Sequence, residues 1–267
     1  MTARPLLDDT APEQHLVQLY ADDDSALLAN VARYVAEGLK RNNGVLLLMP
    51  LERWERLRPI LDTAGASHER ALEEGRLRVL DARAVSAEVI VDGEASRLRF
   101  LESVGVAASS LLVHRGLSGL RAYGELVGLL WSEGRTEAAA RIEKYWNELL
   151  RADGFSLYCA YPVDVFGKDF AGSGMNEVLC AHTHLIPTAP GIEHAVERAI
   201  GEVLGAEADT IRPLMRGGHR STRAAMPRGE GMILWVRTNL PDHAEEILMR
   251  ARLHVHATDS RAPGMCA

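Results

Sequence analysis

The chain is short of cysteine, of long apolar runs and of positive charge, and each shortage removes a class of protein. Its three cysteines, Cys159, Cys180 and Cys266, are an odd number with no Cys-x-x-Cys pair. That argues against a disulfide framework and for a reducing compartment, so a cytoplasmic protein is expected. No apolar run approaches the ~18 to 20 residues of a membrane span, and no charged-then-apolar signal segment opens the sequence. A net charge of -7 and a pI near 5.8 disfavour sequence-independent binding to nucleic acid. Internal repeats and low-complexity blocks are also missing. What is present, 47% hydrophobic and 25% charged residues in a chain of 267, is ordinary globular composition. Such a length suits one large domain, or a domain of ~150 to 200 residues with a small appendage.

Apolar runs and helical periods alternate along the chain. After a polar leader, Met1 to Glu13, expected to be loose, His15 to Tyr20 reads as a strand. A turn of Ala21, Asp22, Asp23, Asp24 and Ser25 leads into a helix with Leu27, Leu28, Val31, Tyr34, Val35 and Leu39 inward. Gly44 to Met49 is a continuous apolar run, as in a strand buried on both faces, and Pro50 opens a helix that Pro59 should kink or shorten. Further strands are expected at Arg76 to Asp81, Gly119 to Tyr123, Phe155 to Tyr161 and His182 to Ile186. Helices are expected at Arg97 to Ala108, around Asn176 to Leu179, and at Ala139 to Leu150, where Ala139, Ile142, Trp146, Leu149 and Leu150 face inward and Arg141, Glu143, Lys144 and Glu148 face water. This alternation predicts an α/β fold with a mainly parallel sheet flanked by helices. Pro187 to Gly191 marks a domain boundary, giving a leader (1–14), a main domain (15–187) and a C-terminal region (188–267). That last region reads as a small α+β appendage, with a helix from Ile192 to Leu204, strands at Met232 to Arg237 and Leu253 to Ala257, and a helix between them.

Candidate functional residues gather near expected strand ends. Glu125 follows the fourth strand, where open α/β sheets hold ligands, but no partner base accompanies it, so ligand or structural contact is expected rather than catalysis. Tyr20, Tyr123, Trp131, Trp146 and Tyr161 could wall an apolar pocket, with core packing as the competing role, above all for Trp146. Asp22 to Asp24 suit helix capping by Asp22 or Asp24, compatible with ligand or cation contact. Cys180, His182 and His184 form Cys-x-His-x-His, a partial metal pattern without a fourth ligand. Hydrogen-bonded histidines near the pocket are expected instead, and no metal. Arg212, Arg216, Arg220, Arg223 and Arg228, with His219, make a basic segment more in keeping with a solvated loop than with DNA contact. His254 and His256 are expected to be solvated.

The segments HLVQLYADDDSALLANVARYVAEGLKRNNGVLLLMP, GRLRVLDAR, RAYGELVGLLWSEGRTEAAARIEKYWNELL, FSLYCAYP and HTH, in that order, resemble the MEDS family, the methanogen and methylotroph DcmR-type sensory domain. The resemblance covers about residues 15 to 186. It implies a relative of the RecA and KaiC type of ATPase fold in which sensing of a small organic molecule, such as a hydrocarbon derivative, replaces ATP hydrolysis. Through it Asn147, Cys159, His182 and His184 join the expected ligand-binding residues Tyr20, Asp22, Tyr123, Glu125, Trp131 and Tyr161. A KaiC-like chain would carry Gly-x-x-x-x-Gly-Lys-[Ser/Thr] after the first strand; here three carboxylates stand in that turn, so no nucleotide cofactor is expected.

The expected function is therefore a non-catalytic sensory protein with a degenerate nucleotide site, in which ligand shifts the arrangement of a deformable loop, Gly124 to Arg135. Members of such a family are often joined to DNA-binding or histidine-kinase modules. Only fourteen residues precede the first strand here and no kinase motif follows, so a signalling partner such as a histidine kinase or regulator, a homodimer, or the C-terminal region is expected to carry the output. The alternatives are a degenerate KaiC-like ATPase using Glu125 and a scaffold without ligand.

Overall fold

A computed structural model describes residues 3–217 and 224–259. Six strands form one sheet: β1 (His15–Leu19), β2 (Gly44–Met49), β3 (Leu77–Asp81), β4 (Leu120–Gly124), β5 (Ser156–Tyr161) and β6 (His184–Leu185). They lie in the order β3-β2-β4-β5-β1-β6, and every neighbouring pair is parallel. Helices cover both faces, which is why GVLLLM in β2 and SLYCAY in β5 are buried at every position and show no polar alternation. The α/β fold expected from the alternating pattern is the fold observed.

Alternation along the strands still decides which side chain meets which layer of helices. Val17, Leu19, Ala122, Leu157, Cys159 and Tyr161 point into one core, whereas Leu16, Tyr123, Tyr158 and Ala160 point into the other. The first core continues without a break into Val196, Ile200, Met232, Ile233, Ile247 and Val255. Helices beyond Gly191 thus bury their apolar faces against the same layer as the sheet.

Four local expectations are corrected. The leader is not loose: Ala3–Asp8 is a helix, Leu7 is fully buried, and the Arg121 guanidinium donates to the carbonyls of Leu7 and Asp8, each at 2.8 Å. A buried cation thus satisfies carbonyls that a helix end leaves unpaired. Pro59 does not end its helix, since Leu51–Thr63 continues past it. The Gly124 to Arg135 segment is not a deformable loop but contains the helix Leu126–Ser132. There Gly128 packs so closely on β5 that a Cβ would overlap the carbonyl oxygen of Ala160.

The fourth correction concerns the C-terminal region, where Met232–Arg237 and Leu253–Ala257 are not strands. They lie in the helices Arg228–Asn239 and Pro241–Asp259. Buried Met232, Ile233 and Val236, and Ile247, Leu248, Ala251 and Val255, recur at helical spacing, so tertiary packing selects the 3.6-residue period over the short-range alternation. Arg220, Arg223 and His219 of the basic segment, and Cys266, lie outside the described residues. Among the described residues no helix is long and apolar enough to cross a membrane.

Candidate functional site

Two polar constellations stand out, one on each side of the sheet. The first occupies the carboxyl edge between β2 and β4, where the connection from β2 runs outward to β3 and that from β4 runs back to β5. Such a divergence opens a crevice that commonly holds ligands. Here the protein fills it. The Arg53 guanidinium, from the helix after β2, lies 2.8 Å from the Glu125 carboxylate and stacks 5.0 Å above the Tyr20 ring. Tyr123 donates to the other Glu125 oxygen at 2.8 Å. Asp24 takes a hydrogen bond from Arg56 at 2.8 Å and lies 3.3 Å from Arg53.

Burial raises Glu125 to about 7, against the attraction of Arg53. The Arg53 nitrogen facing it forms no hydrogen bond of proper geometry, so the charge attraction only partly offsets lost hydration. Helix capping also differs from expectation. Asp24 makes no side-chain cap bond and is committed to the arginines, while Asp23 accepts from the Ser25 amide at 2.9 Å and Asp22 is exposed.

The second constellation is buried on the opposite face, under the helix Thr136–Asp153. His15 from β1, Cys159 from β5, Glu143 from this helix and His182, just past the helix Ser173–Ala181, bring one donor atom each within 4.8 Å of all the others. His15 Nε2 is 3.3 Å from Cys159 Sγ and 3.4 Å from Glu143 Oε2, and His182 Nε2 is 3.4 Å from Glu143 Oε1. The two imidazole rings lie 3.9 Å apart.

Outer contacts fix both tautomers. Asn147 directs its amide nitrogen at the Glu143 carbonyl, 3.0 Å away, so its Oδ1 accepts from His15 Nδ1 at 3.2 Å. His182 Nδ1 donates to the Val178 carbonyl at 2.6 Å. Both Nε2 lone pairs therefore face the cluster. Tyr161 donates to Glu143 Oε1 at 2.6 Å. Burial, followed by repulsion from His182, holds His15 well below its ordinary value. Burial, followed by repulsion from Glu143, pushes Cys159 and Tyr161 well above theirs.

This cluster underlies a cleft of about 1190 Å³ between the Thr136–Asp153 and Ser173–Ala181 helices. Glu143 and Asn147 reach its lining, joined by Trp131, Ala139, Met175 and Val178. Trp131 packs edge-on against Tyr161 with ring centroids 5.6 Å apart, so cleft wall and buried cluster share a contact.

Eight of the ten residues expected to bind ligand thus fall in two sites. Tyr20, Tyr123 and Glu125 belong to the strand-end network, with Asp22 exposed beside it. Trp131, Asn147, Cys159, Tyr161 and His182 belong to the cleft and its floor. His184 is half-buried and pairs with its neighbour Thr183 at 3.0 Å, while Cys180 is exposed on a helix, so Cys-x-His-x-His does not share one face. Trp146 is core, fully buried between Phe100 and Phe155. His254 is not simply solvated, since it contacts Glu202 at 3.0 Å.

Sequence reasoning missed His15 and placed Glu143 in water, whereas Glu143 is buried. A helical-wheel test carries the missing signal. At about 100° per residue Glu143 falls roughly 20° from Leu150 and 40° from Ala139, inside the apolar arc.

No curated protein and no solved structure matches the chain significantly. The family model described as MEDS, MEthanogen/methylotroph, DcmR Sensory domain, matches residues 14–183. That span is more than half of the chain and includes β1 to β5, both helices that form the cleft and all four residues of the buried cluster. The chain belongs to the MEDS family of sensory domains.

Proposed function

We propose that this sensory domain binds a small organic molecule in the cleft between the Thr136–Asp153 and Ser173–Ala181 helices, and that it performs no chemistry on it. The observation that carries this reading is the pairing of a cleft of about 1190 Å³ with a strand-end crevice occupied by the Arg53, Glu125 and Tyr123 side chains. The cleft combines an apolar part, Trp131, Ala139, Met175 and Val178, with Asn147 and Glu143 beside it and a charged rim that includes Glu137, Arg141, Lys144, Arg151 and Asp169. A small organic molecule with an apolar body and a polar or charged end fits that division.

The strand-end crevice would be the nucleotide site of a RecA- or KaiC-like relative, and on this reading it is degenerate. Its turn, Ala21 to Ser25, offers neither glycine cradle nor lysine. The cations that could meet phosphate, Arg53 and Arg56, are engaged by Glu125 and Asp24. A triphosphate would have to displace the largely buried Arg53–Glu125 pair and the partly exposed Arg56–Asp24 pair, and meet the carboxylates they leave behind.

A route for output leads from the cleft wall to the C-terminal helices. The Asp164–Phe166 segment, shortly before cleft residues Asp169 and Gly172, receives the Arg237 guanidinium on the Phe166 carbonyl at 2.6 Å. Arg252 pairs with Asp164 and stacks 5.7 Å over the Phe166 ring. Ligand that favours one spacing of the cleft helices shifts the population of one arrangement of this segment, and a partner protein or second copy reads the result on the C-terminal helices.

The test is a fluorescence titration of small haloalkanes, alcohols and amines, with calorimetry against Mg-ATP in parallel. The expected result is a saturable tryptophan response that Trp131→Phe removes, and no heat from nucleotide. Micromolar Mg-ATP binding, lost in Glu125→Gln, would overturn the reading in favour of a nucleotide-binding protein. Silence across the whole panel would overturn it in favour of a scaffold.

A further inference from the structure

We propose that His15 Nε2, His182 Nε2, Cys159 Sγ and a Glu143 carboxylate oxygen form a mononuclear binding site for a divalent transition metal of the zinc, cobalt or ferrous class. The proposal goes beyond the cleft reading and does not depend on it. Four observations carry it.

The first is spacing. A tetrahedral ion with bonds of about 2.1 Å holds its ligand atoms roughly 3.4 Å apart. The separations are 3.3 Å for His15 to Cys159, 3.4 Å for His15 to Glu143 Oε2 and 4.0 Å for Cys159 to Glu143 Oε2, and His182 lies 3.4 Å from the other oxygen, Oε1. One donor atom from each residue lies within 4.8 Å of all the others, close enough for small side-chain shifts to close on an ion. All four donors converge from four different elements, so the fold, not one local motif, assembles the site.

The second is tautomer. Asn147 and the Val178 carbonyl each take up the Nδ1 proton of one histidine, and both Nε2 atoms are left as lone pairs directed inward. Metal-bound histidines are oriented this way, with the remote nitrogen donating to a carbonyl or carboxylate. Tyr161 does the same for Glu143 by holding Oε1 at 2.6 Å, which leaves Oε2 turned toward His15 and Cys159.

The third is an unmet requirement. His182 Nε2 is completely buried and has no hydrogen-bond partner, although Glu143 Oε1 lies 3.4 Å away. A lone pair facing a carboxylate is repulsive, and a cation between them turns both contacts favourable. The fourth is charge. A dication balances one carboxylate and one thiolate, so the filled site is neutral and suits burial. Two imidazoles, a thiolate and a carboxylate match the borderline softness of zinc, cobalt and iron(II) rather than magnesium or calcium.

Cobalt(II) is the probe, added without oxygen to the full chain after chelator treatment under reducing conditions. One equivalent is expected to bind with intense tetrahedral visible bands and a thiolate-to-cobalt charge-transfer band, and zinc is expected to displace it. Cys159→Ser is expected to lose the charge-transfer band. Asn147→Ala, at a half-buried position that need not disturb folding, is expected to weaken zinc binding by roughly 10- to 100-fold, as loss of an orienting partner does. Folded wild-type protein that binds no cobalt, a charge-transfer band that survives Cys159→Ser, or zinc affinity unaltered by Asn147→Ala would each overturn the assignment. A lasting His182–Glu143 ion pair, seen as an imidazolium in nitrogen NMR with excess zinc present, would do the same. None of these readouts involves organic ligand, so this site and the cleft reading stand or fall separately.

Discussion

Tyr161, the last residue of β5, donates its phenolic hydrogen to Glu143 across 2.6 Å, and both groups are withdrawn from water. This bond ties the carboxyl edge of the sheet to the middle of the Thr136–Asp153 helix. Trp131 rests on the same phenol ring, so the cleft wall is anchored to the buried cluster through one side chain. Tyr161→Phe removes the donor and leaves the carboxylate short of a partner. The expected loss is about 1–3 kcal/mol in urea unfolding. A loss below about 0.5 kcal/mol would show that this bond does not hold the helix.

Glu125 gives stability a pH dependence of its own. Its folded value is about 7, against an ordinary 4.5, so the folded protein keeps the proton over a range where the unfolded chain has released it. The contribution is complete below pH 4.5 and is lost as pH rises to about 7, a decline of about 3 kcal/mol. The unfolding free energy of the wild type minus that of Glu125→Gln, at intervals from pH 4.5 to 8, should decline by this amount, since the opposing slope from His15 is common to both. Parallel profiles would contradict the assignment.

Gly128 sets the distance between the Leu126–Ser132 helix and β5. Because an added Cβ would overlap the Ala160 carbonyl oxygen, Gly128→Ala must push the helix outward. We expect a loss of about 1–3 kcal/mol and a changed Trp131 emission spectrum, since that residue rides on the same helix. An unchanged spectrum with wild-type stability would mean that the helix shifts freely.

Arg121 pins the N-terminal helix. Arg121→Met leaves the Leu7 and Asp8 carbonyls without their charged donor, at an expected cost of about 1.5–3 kcal/mol per bond lost to a charged group. Hydrogen exchange should accelerate in residues 3–8 and in the Tyr34 region, whose carbonyl takes a further bond from Arg121 at 3.1 Å. Protection equal to that of the wild type would show that Leu7 burial alone docks the helix.

The sheet was legible because buried parallel strands leave a strong mark: Gly44–Met49 has no polar residue to interrupt it. The family match, likewise, lies where the ordered segments were recognised. Leu253 to Ala257 was misread because five residues of alternating pattern cannot reveal Ile247, Leu248 and Ala251, which complete a helical stripe one turn earlier. The cluster was half legible. Cys159 and His182 were flagged, but grouping His182 with Cys180 and His184 assumed that neighbours in sequence share a face. His182 instead meets His15, 167 positions away, because β6 lies beside β1, a pairing that no local pattern encodes. Glu143 was assigned to water by its charge, although its angular position already placed it among apolar neighbours.

A crystal structure of the full chain exposed separately to Mg-ATP and to responsive organic compounds tests most directly where a small molecule goes. Organic density is expected in the cleft, bounded by Trp131, Asn147 and Met175, with an undisturbed Arg53–Glu125 pair in the presence of nucleotide. Phosphates seated on the Asp22 to Ser25 turn, with Arg53 withdrawn from Glu125 to meet them, would contradict that placement.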